Sequence, residues 1–136
     1  FFTNSSILLT GSGDITSSGQ ALSILSQSEM IISDGIMNLS ANADLQLLDD
    51  SFASVSASLF VQEFASLLLQ ESELVVVGLI QMEDQSELNS ISSTITIGDF
   101  DDSNLSSISQ FGESQFISSS STISILDGSW LVQENS

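Results

Sequence analysis

The chain has 136 residues, with eighteen Asp and Glu, no Lys, Arg or His, and a formal charge of −18. Without cationic side chains it has nothing with which to grip phosphates, which excludes nucleic acids and anionic membrane surfaces as partners; without Cys it has no disulfide, thiolate metal site or thiol nucleophile. Hydrophobic residues still make up 41% of the chain and mean hydropathy is +0.31, enough apolar surface to build a core rather than a disordered acidic tail.

Read from the N-terminus, an apolar–any–apolar triplet recurs. It appears at Ile7-Leu8-Leu9, Leu22-Ser23-Ile24, Met37-Asn38-Leu39, Ala53-Ser54-Val55, Leu67-Leu68-Leu69, Ile80-Gln81-Met82, Ile95-Thr96-Ile97, Ser109-Gln110-Phe111 and Ile123-Ser124-Ile125, with starts 13 to 16 residues apart. A second apolar anchor follows each triplet: Ile15, Met30, Leu45, Phe60, Leu74, Leu88, Leu105, Phe116 and Trp130. Two residues before every one of these the position is small: Gly13, Ser28, Ala43, Ser58, Ser72, Ser86, Ser103, Ser114 and Gly128. Alternate apolar residues mark short strands with one face turned inward. No single strand pair buries its apolar face alone, but stacked repeats do. The pattern predicts an all-β fold, a β-solenoid of about nine coils with a 14–15 residue repeat, each coil having two arms, one tight small-residue corner and one looser corner near Gly19, Gly35, Asp49-Asp50 and Gly78. It reads as a single domain over residues 1–136, or as a segment of a longer repeat array. A pilin-like β-sandwich also fits the arm spacing, and Phe52 to Gln70 is the best local helix candidate, with Ala53, Ala57 and Ala65 among leucines.

The two-arm coil resembles the short-coil β-solenoids of antifreeze proteins, adhesin stalks and other fibrous surface proteins. The resemblance covers nearly the whole chain and rests on periodicity. It implies a structural role outside the cell or at its surface. Thr94 and Thr96 form a single Thr-x-Thr pair, not the repeated ladder of an ice-binding face.

Stacking has consequences for the acidic residues. Asp14, Glu29, Asp44, Glu73 and Glu87 each precede a second anchor, so a two-arm coil would file them into an acidic ladder. Such a ladder would repel itself unless a hard cation such as Ca²⁺ sat within it; the plainer reading is a solvated outer face. Asp99, Asp101 and Ser103 present alternating oxygen donors like the start of a calcium loop, but lack the Gly and terminal Glu of an EF-hand, so an acidic turn competes with a metal site. No other cofactor is indicated. With only carboxylates as acids or bases, and no Arg or Tyr to hold a substrate, the chain does not read as an enzyme. Asn4, Asn38 and Asn104 lie in glycosylation sequons, and the serine runs offer sites for O-linked glycans.

The ends point to self-association. Phe1 and Phe2 open the chain, and Trp130, Leu131 and Val132 lie near its close, so both ends of the stack expose apolar residues beside unpaired strand edges. Outward-facing Leu8, Leu68, Val75 and Val77 suggest lateral contacts. The leading expectation is the structural subunit of an extracellular filament that self-assembles into a homopolymer by end-to-end stacking, helped by low pH or Ca²⁺. The alternatives are a monomeric adhesin stalk or calcium-dependent surface-binding module, and a donor-strand pilin that inserts Phe1 to Leu9 into its neighbour.

Overall fold

The computed structural model describes residues 1–9, 14–98, 106–126 and 128–133, and their regular structure is β-strand throughout. The strands come in layers of three. The first layer is β1 (Phe2–Thr3), β2 (Ser6–Leu9) and β3 (Ile15–Ser17); the second is β4 (Leu22–Ser26), β5 (Glu29–Ile32) and β6 (Met37–Leu39). The third is β7 (Asp44–Leu48), β8 (Phe52–Val55) and β9 (Leu59–Val61); the fourth is β10 (Ser66–Gln70), β11 (Glu73–Val76) and β12 (Leu79–Met82). The fifth is β13 (Glu87–Ile91), β14 (Thr94–Ile97) and β15 (Ser106–Phe111), and the sixth is β16 (Gln115–Ser119), β17 (Thr122–Ile125) and β18 (Gly128–Gln133).

Each strand pairs in parallel with the strand three before and three after it, giving three six-stranded sheets: face A from β1 to β16, face B from β2 to β17 and face C from β3 to β18. The fold is therefore the expected all-β solenoid, but with three arms to the turn, and its six layers climb through about five turns rather than nine. Register along the stack advances by 21 to 23 residues, as in Phe2↔Leu25, Asp44↔Ser66 and Ser66↔Glu87. Two successive arms span the 14–15 residues that the sequence pattern picks out, and the turn closes only with the third. Anchors read as alternating between two arms in fact rotate around three. One turn is longer: Gln85 and Glu113, hydrogen-bonded across adjacent layers, are 28 residues apart. That turn contains positions 99–105, outside the described residues. The segment from Phe52 to Gln70, the helix candidate, holds β8, β9 and β10.

The inward side chains stack in columns. Face A contributes Leu25, Leu47 and Leu69 in one column and Leu45, Leu67 and Leu88 in another; face B contributes Met30, Ala53, Leu74 and Ile95; face C contributes Met37, Leu59, Ile80 and Ile108. All of these are buried. Since each fully buried aliphatic side chain is worth about 1.5–3 kcal/mol, this continuous apolar axis is the main force holding the layers together. Not every apolar residue of the two sets points in: Leu22, of a triplet, is 58% exposed on the outside of face A, and Phe60, a second anchor, lies between inward Leu59 and Val61.

The corners explain how the chain turns. Between faces A and B, every layer places a residue in the left-handed region: Asn4, Gln27, Asp49 with Asp50, Glu71, Ser92 and Ser120. A serine follows each time: Ser5, Ser28, Ser51, Ser72, Ser93 and Ser121. Between faces C and A the left-handed position is held by Gly19, Ala41, Glu63, Asp84 and Gly112, followed two residues on by Ala21, Ala43, Ala65, Ser86 and Ser114. The small residue before an arm is thus a property of all three corners and not of one. Between faces B and C, Gly78 is dictated by close approach: a Cβ there would lie 2.2 Å from the Ala57 carbonyl oxygen of the layer before.

Candidate functional site

The corner serines form a hydrogen-bonded staircase along the axis. The backbone N–H of Ser5 donates to Ser28 Oγ at 3.2 Å, that of Ser28 to Ser51 Oγ at 3.3 Å, that of Ser72 to Ser93 Oγ at 3.2 Å and that of Ser93 to Ser121 Oγ at 3.1 Å. Each hydroxyl in turn donates to a nearby carbonyl, as Ser28 does to Ser26 O and Ser93 to Ile91 O, both at 2.8 Å. The staircase has a direction: N–H groups point towards later layers, and Oγ acceptors face earlier ones.

Carboxylates in a chain without cationic side chains need other donors, and the structure supplies amides and hydroxyls. Asp44 accepts from Ser66 Oγ at 2.7 Å and from Gln46 Nε2 at 3.1 Å; Asp14 accepts the Ile36 N–H at 3.0 Å; Asp49 accepts from Ser26 Oγ at 2.9 Å. Glu83 accepts from Gln62 Nε2 at 3.2 Å and also from Gln81 Nε2, and Glu113 accepts from Gln85 Nε2 at 2.8 Å. Apart from the Gln46–Asp44 and Gln81–Glu83 bonds, which stay within one layer, these charge-assisted bonds tie neighbouring layers together without any cationic side chain.

The acidic ladder expected from sequence is not one file. With three arms to the turn, Asp44 and Glu87 fall on face A with Ser66 between them, Glu29 and Glu73 fall on face B with Phe52 between them, and Asp14 precedes β3 on face C. Strands in a sheet are about 4.8 Å apart, so the carboxylates of each pair lie two strand spacings apart rather than one. Among the described residues no three acidic side chains are grouped closely enough to hold a metal ion. The proposed calcium ligands Asp99, Asp101 and Ser103 lie outside the described residues. The outer faces carry open grooves, one over Asp50, Phe52, Glu71 and Glu73 and another over Asp44, Ser66, Glu87 and Asn89. Of the sequon asparagines, Asn4 is exposed at its corner, Asn38 is half-buried with its Oδ1 unpartnered, and Asn104 lies outside the described residues.

The ends of the stack are the most distinctive places on the molecule. At the N-terminal end Phe1 is 80% and Phe2 41% exposed, and Phe2 is in register with Leu25, so it continues an inward column of face A. At the C-terminal end Trp130 is in register with Ile108 at the head of a face C column. Its ring meets Phe116 edge-on at 4.8 Å between centroids, and its indole N–H donates to Gln110 Oε1 at 2.8 Å. Together these residues cover the last core layer, yet Trp130 remains 43% exposed. Leu131 faces outward beside Ser109, and Val132 is in register with Gln110. All five residues expected at an assembly interface therefore lie on or beside terminal strands. Sequence reading missed Phe116 and Gln110 as partners of Trp130: Phe116 lies on another arm of the same layer, a contact that leaves no mark in the period, and Gln110 lies one layer before on the same face, two positions from the residue in register with Trp130. The lateral set is divided: Leu68 lies on face A, whereas Leu8 and Val75 share an outer column of face B with Ile31 and Ser54 between them.

No family model, curated protein or solved structure matches the chain.

Proposed function

We propose that the protein is a structural rod unit that lengthens by end-to-end stacking of its β-layers, forming a homopolymer. What carries this reading is the state of the terminal layers. Among the described residues β1, β2 and β3 at one end, and β16, β17 and β18 at the other, each pair on one side only, so each end of the described stack presents three parallel strand edges together. Such edges are templates for another strand. The inward columns running up to them finish in half-exposed aromatics, Phe2 and Trp130, which a further layer would bury. A contact that places one end on the other and does not close on itself generates a filament. An extracellular setting is part of the same proposal and rests on the periodicity of the sequence, which resembles that of fibrous surface proteins. The proposed role calls for no catalysis, and the side chains offer carboxylates alone as acid–base groups.

Electron microscopy and fibre diffraction of the purified 136-residue chain test the proposal. The expected result is unbranched filaments with a meridional spacing of about 4.8 Å along the axis. Compact monomers at every protein concentration, at low and neutral pH and with or without Ca²⁺, would overturn it.

A further inference from the structure

We infer that successive copies stack head to tail and in phase, with β16, β17 and β18 of one copy pairing with β1, β2 and β3 of the next. This rests on the end-to-end reading above and adds a polarity and a register to it.

Four observations converge. The first is topological: all three sheets have six strands, so a copy placed on the C-terminal layer continues A on A, B on B and C on C. The second is the direction of the serine staircase. It runs by N–H to Oγ bonds towards later layers in two flights, Ser5 through Ser28 to Ser51 and Ser72 through Ser93 to Ser121, with a backbone N–H facing onward at Ser121 and a hydroxyl oxygen facing back at Ser5. Donor end and acceptor end are complementary only head to tail; a head-to-head or tail-to-tail contact sets like against like.

The third is shape. The inward column Leu25, Leu47, Leu69 shrinks to Ser90 and then Ser118 at the C-terminal end, while Phe2 stands at its N-terminal end. In-phase stacking seats the Phe2 ring of one copy over Ser118 of the copy before, large on small. On face C the same step brings Trp130 against Ile15, at the head of the column through Met37 and Leu59. The fourth is charge. Residues 1–28 carry a single carboxylate, Asp14, and residues 106–136 carry three, Glu113, Asp127 and Glu134, whereas fourteen of the eighteen lie between Glu29 and Asp102. Copies meeting end to end bring together their least charged layers; copies meeting side to side bring together the acidic middle.

Cross-linking separates this geometry from its alternatives. Extending the outward column of Thr3, Ser26 and Leu48 puts Ser119 of one copy beside Thr3 of the next. Adjacent parallel strands are about 4.8 Å apart, within disulfide range, and the chain has no cysteine of its own. Under mild oxidation the double variant Thr3→Cys/Ser119→Cys should give a ladder of covalent oligomers. Mixed single variants should give the 3–119 product several-fold in excess of 3–3 or 119–119. Filaments that link 119 to 119, 3 to 3, or 119 to a Leu8→Cys variant would overturn the polarity or phase and leave end-to-end assembly standing. Absence of both filaments and cross-links would overturn both. Ser5→Ala provides a second reading, because the Ser5 N–H still donates to Ser28 Oγ and the monomer keeps that rung of the staircase. It should raise the critical concentration for assembly by roughly 2- to 10-fold, the worth of one hydrogen bond. An unchanged critical concentration would overturn the continued staircase.

Discussion

Ser93 stands at the corner between β13 and β14 and bonds in two directions, its Oγ–H donating to the Ile91 carbonyl and its oxygen accepting the buried Ser72 N–H. Ser93→Ala removes both bonds and leaves that N–H without a partner in a place closed to water, at a cost of about 1–3 kcal/mol. Ser90, three residues earlier, is the opposite case: it is buried in an inward column and its hydroxyl has no hydrogen-bond partner. Ser90→Ala discards an unsatisfied polar group and should be neutral or stabilising by up to about 1 kcal/mol. Urea unfolding of the two variants checks the contrast; equal losses in both would mean that the staircase adds nothing beyond packing. The amino-acid sequence holds part of the staircase in plain view. Ser5, Ser28, Ser51, Ser72 and Ser93 stand at the true repeat of the turn, 21 to 23 residues. Serine is so frequent in this chain that one column among many does not stand out. The left-handed residues before those serines are harder still to see, because Gln27 and Glu71 adopt a conformation that neither side chain announces.

An arm of a solenoid declares its own length through alternation, but the angle at which the next arm leaves is set at the corner. Strands, inward columns and small corner residues are therefore readable in the sequence, while the choice between two and three arms to the turn is not. The acidic ladder follows from that choice: Asp44 and Glu29 look equivalent when every second arm is superposed, and part onto faces A and B when every third one is. Elements stacked in this way interact with the layers directly above and below, so stability is nearly one-dimensional and frays from the ends. Leu47 on β7 is fully buried between Leu25 and Leu69, whereas Ile123 on terminal β17 has Ile95 on one side only and is half-buried. Leu47→Ala should cost about 2–5 kcal/mol by opening a cavity that neighbouring layers cannot close. Ile123→Ala should cost about 1–2 kcal/mol, in proportion to the area it buries. Hydrogen exchange distinguishes them further. The first should speed exchange throughout layers two to four, and the second should confine the change to β16, β17 and β18. A uniform rise across all the strands in the second variant would indicate one cooperative unit in place of a fraying stack.

At the scale of the whole molecule, the charge of −18 is answered by no cationic side chain. Most proteins balance attractions against repulsions among their charges, so added salt weakens both and the net effect on stability has no fixed sign. Here almost every long-range pair is repulsive, and screening acts in one direction. Raising NaCl from about 10 mM, where the screening length is about 30 Å, to about 0.5 M, where it is only a few Å, should raise the melting temperature steadily. The carboxylates bonded to Gln62, Gln81, Gln85 and Ser66 resist this screening, since they are held at contact distance to neutral donors. Assembly should answer to salt differently according to the faces that meet. End-to-end growth joins the least charged layers and should be fast already at moderate salt, whereas lateral bundling must bring the middle layers together and should begin only when their repulsion is screened. Light scattering followed by microscopy across the salt series should therefore show single filaments first and bundles only at the upper end. Bundles at the lowest salt, or a melting temperature that falls as salt rises, would mean that the charge is neutralised by bound cations rather than left to act through solvent.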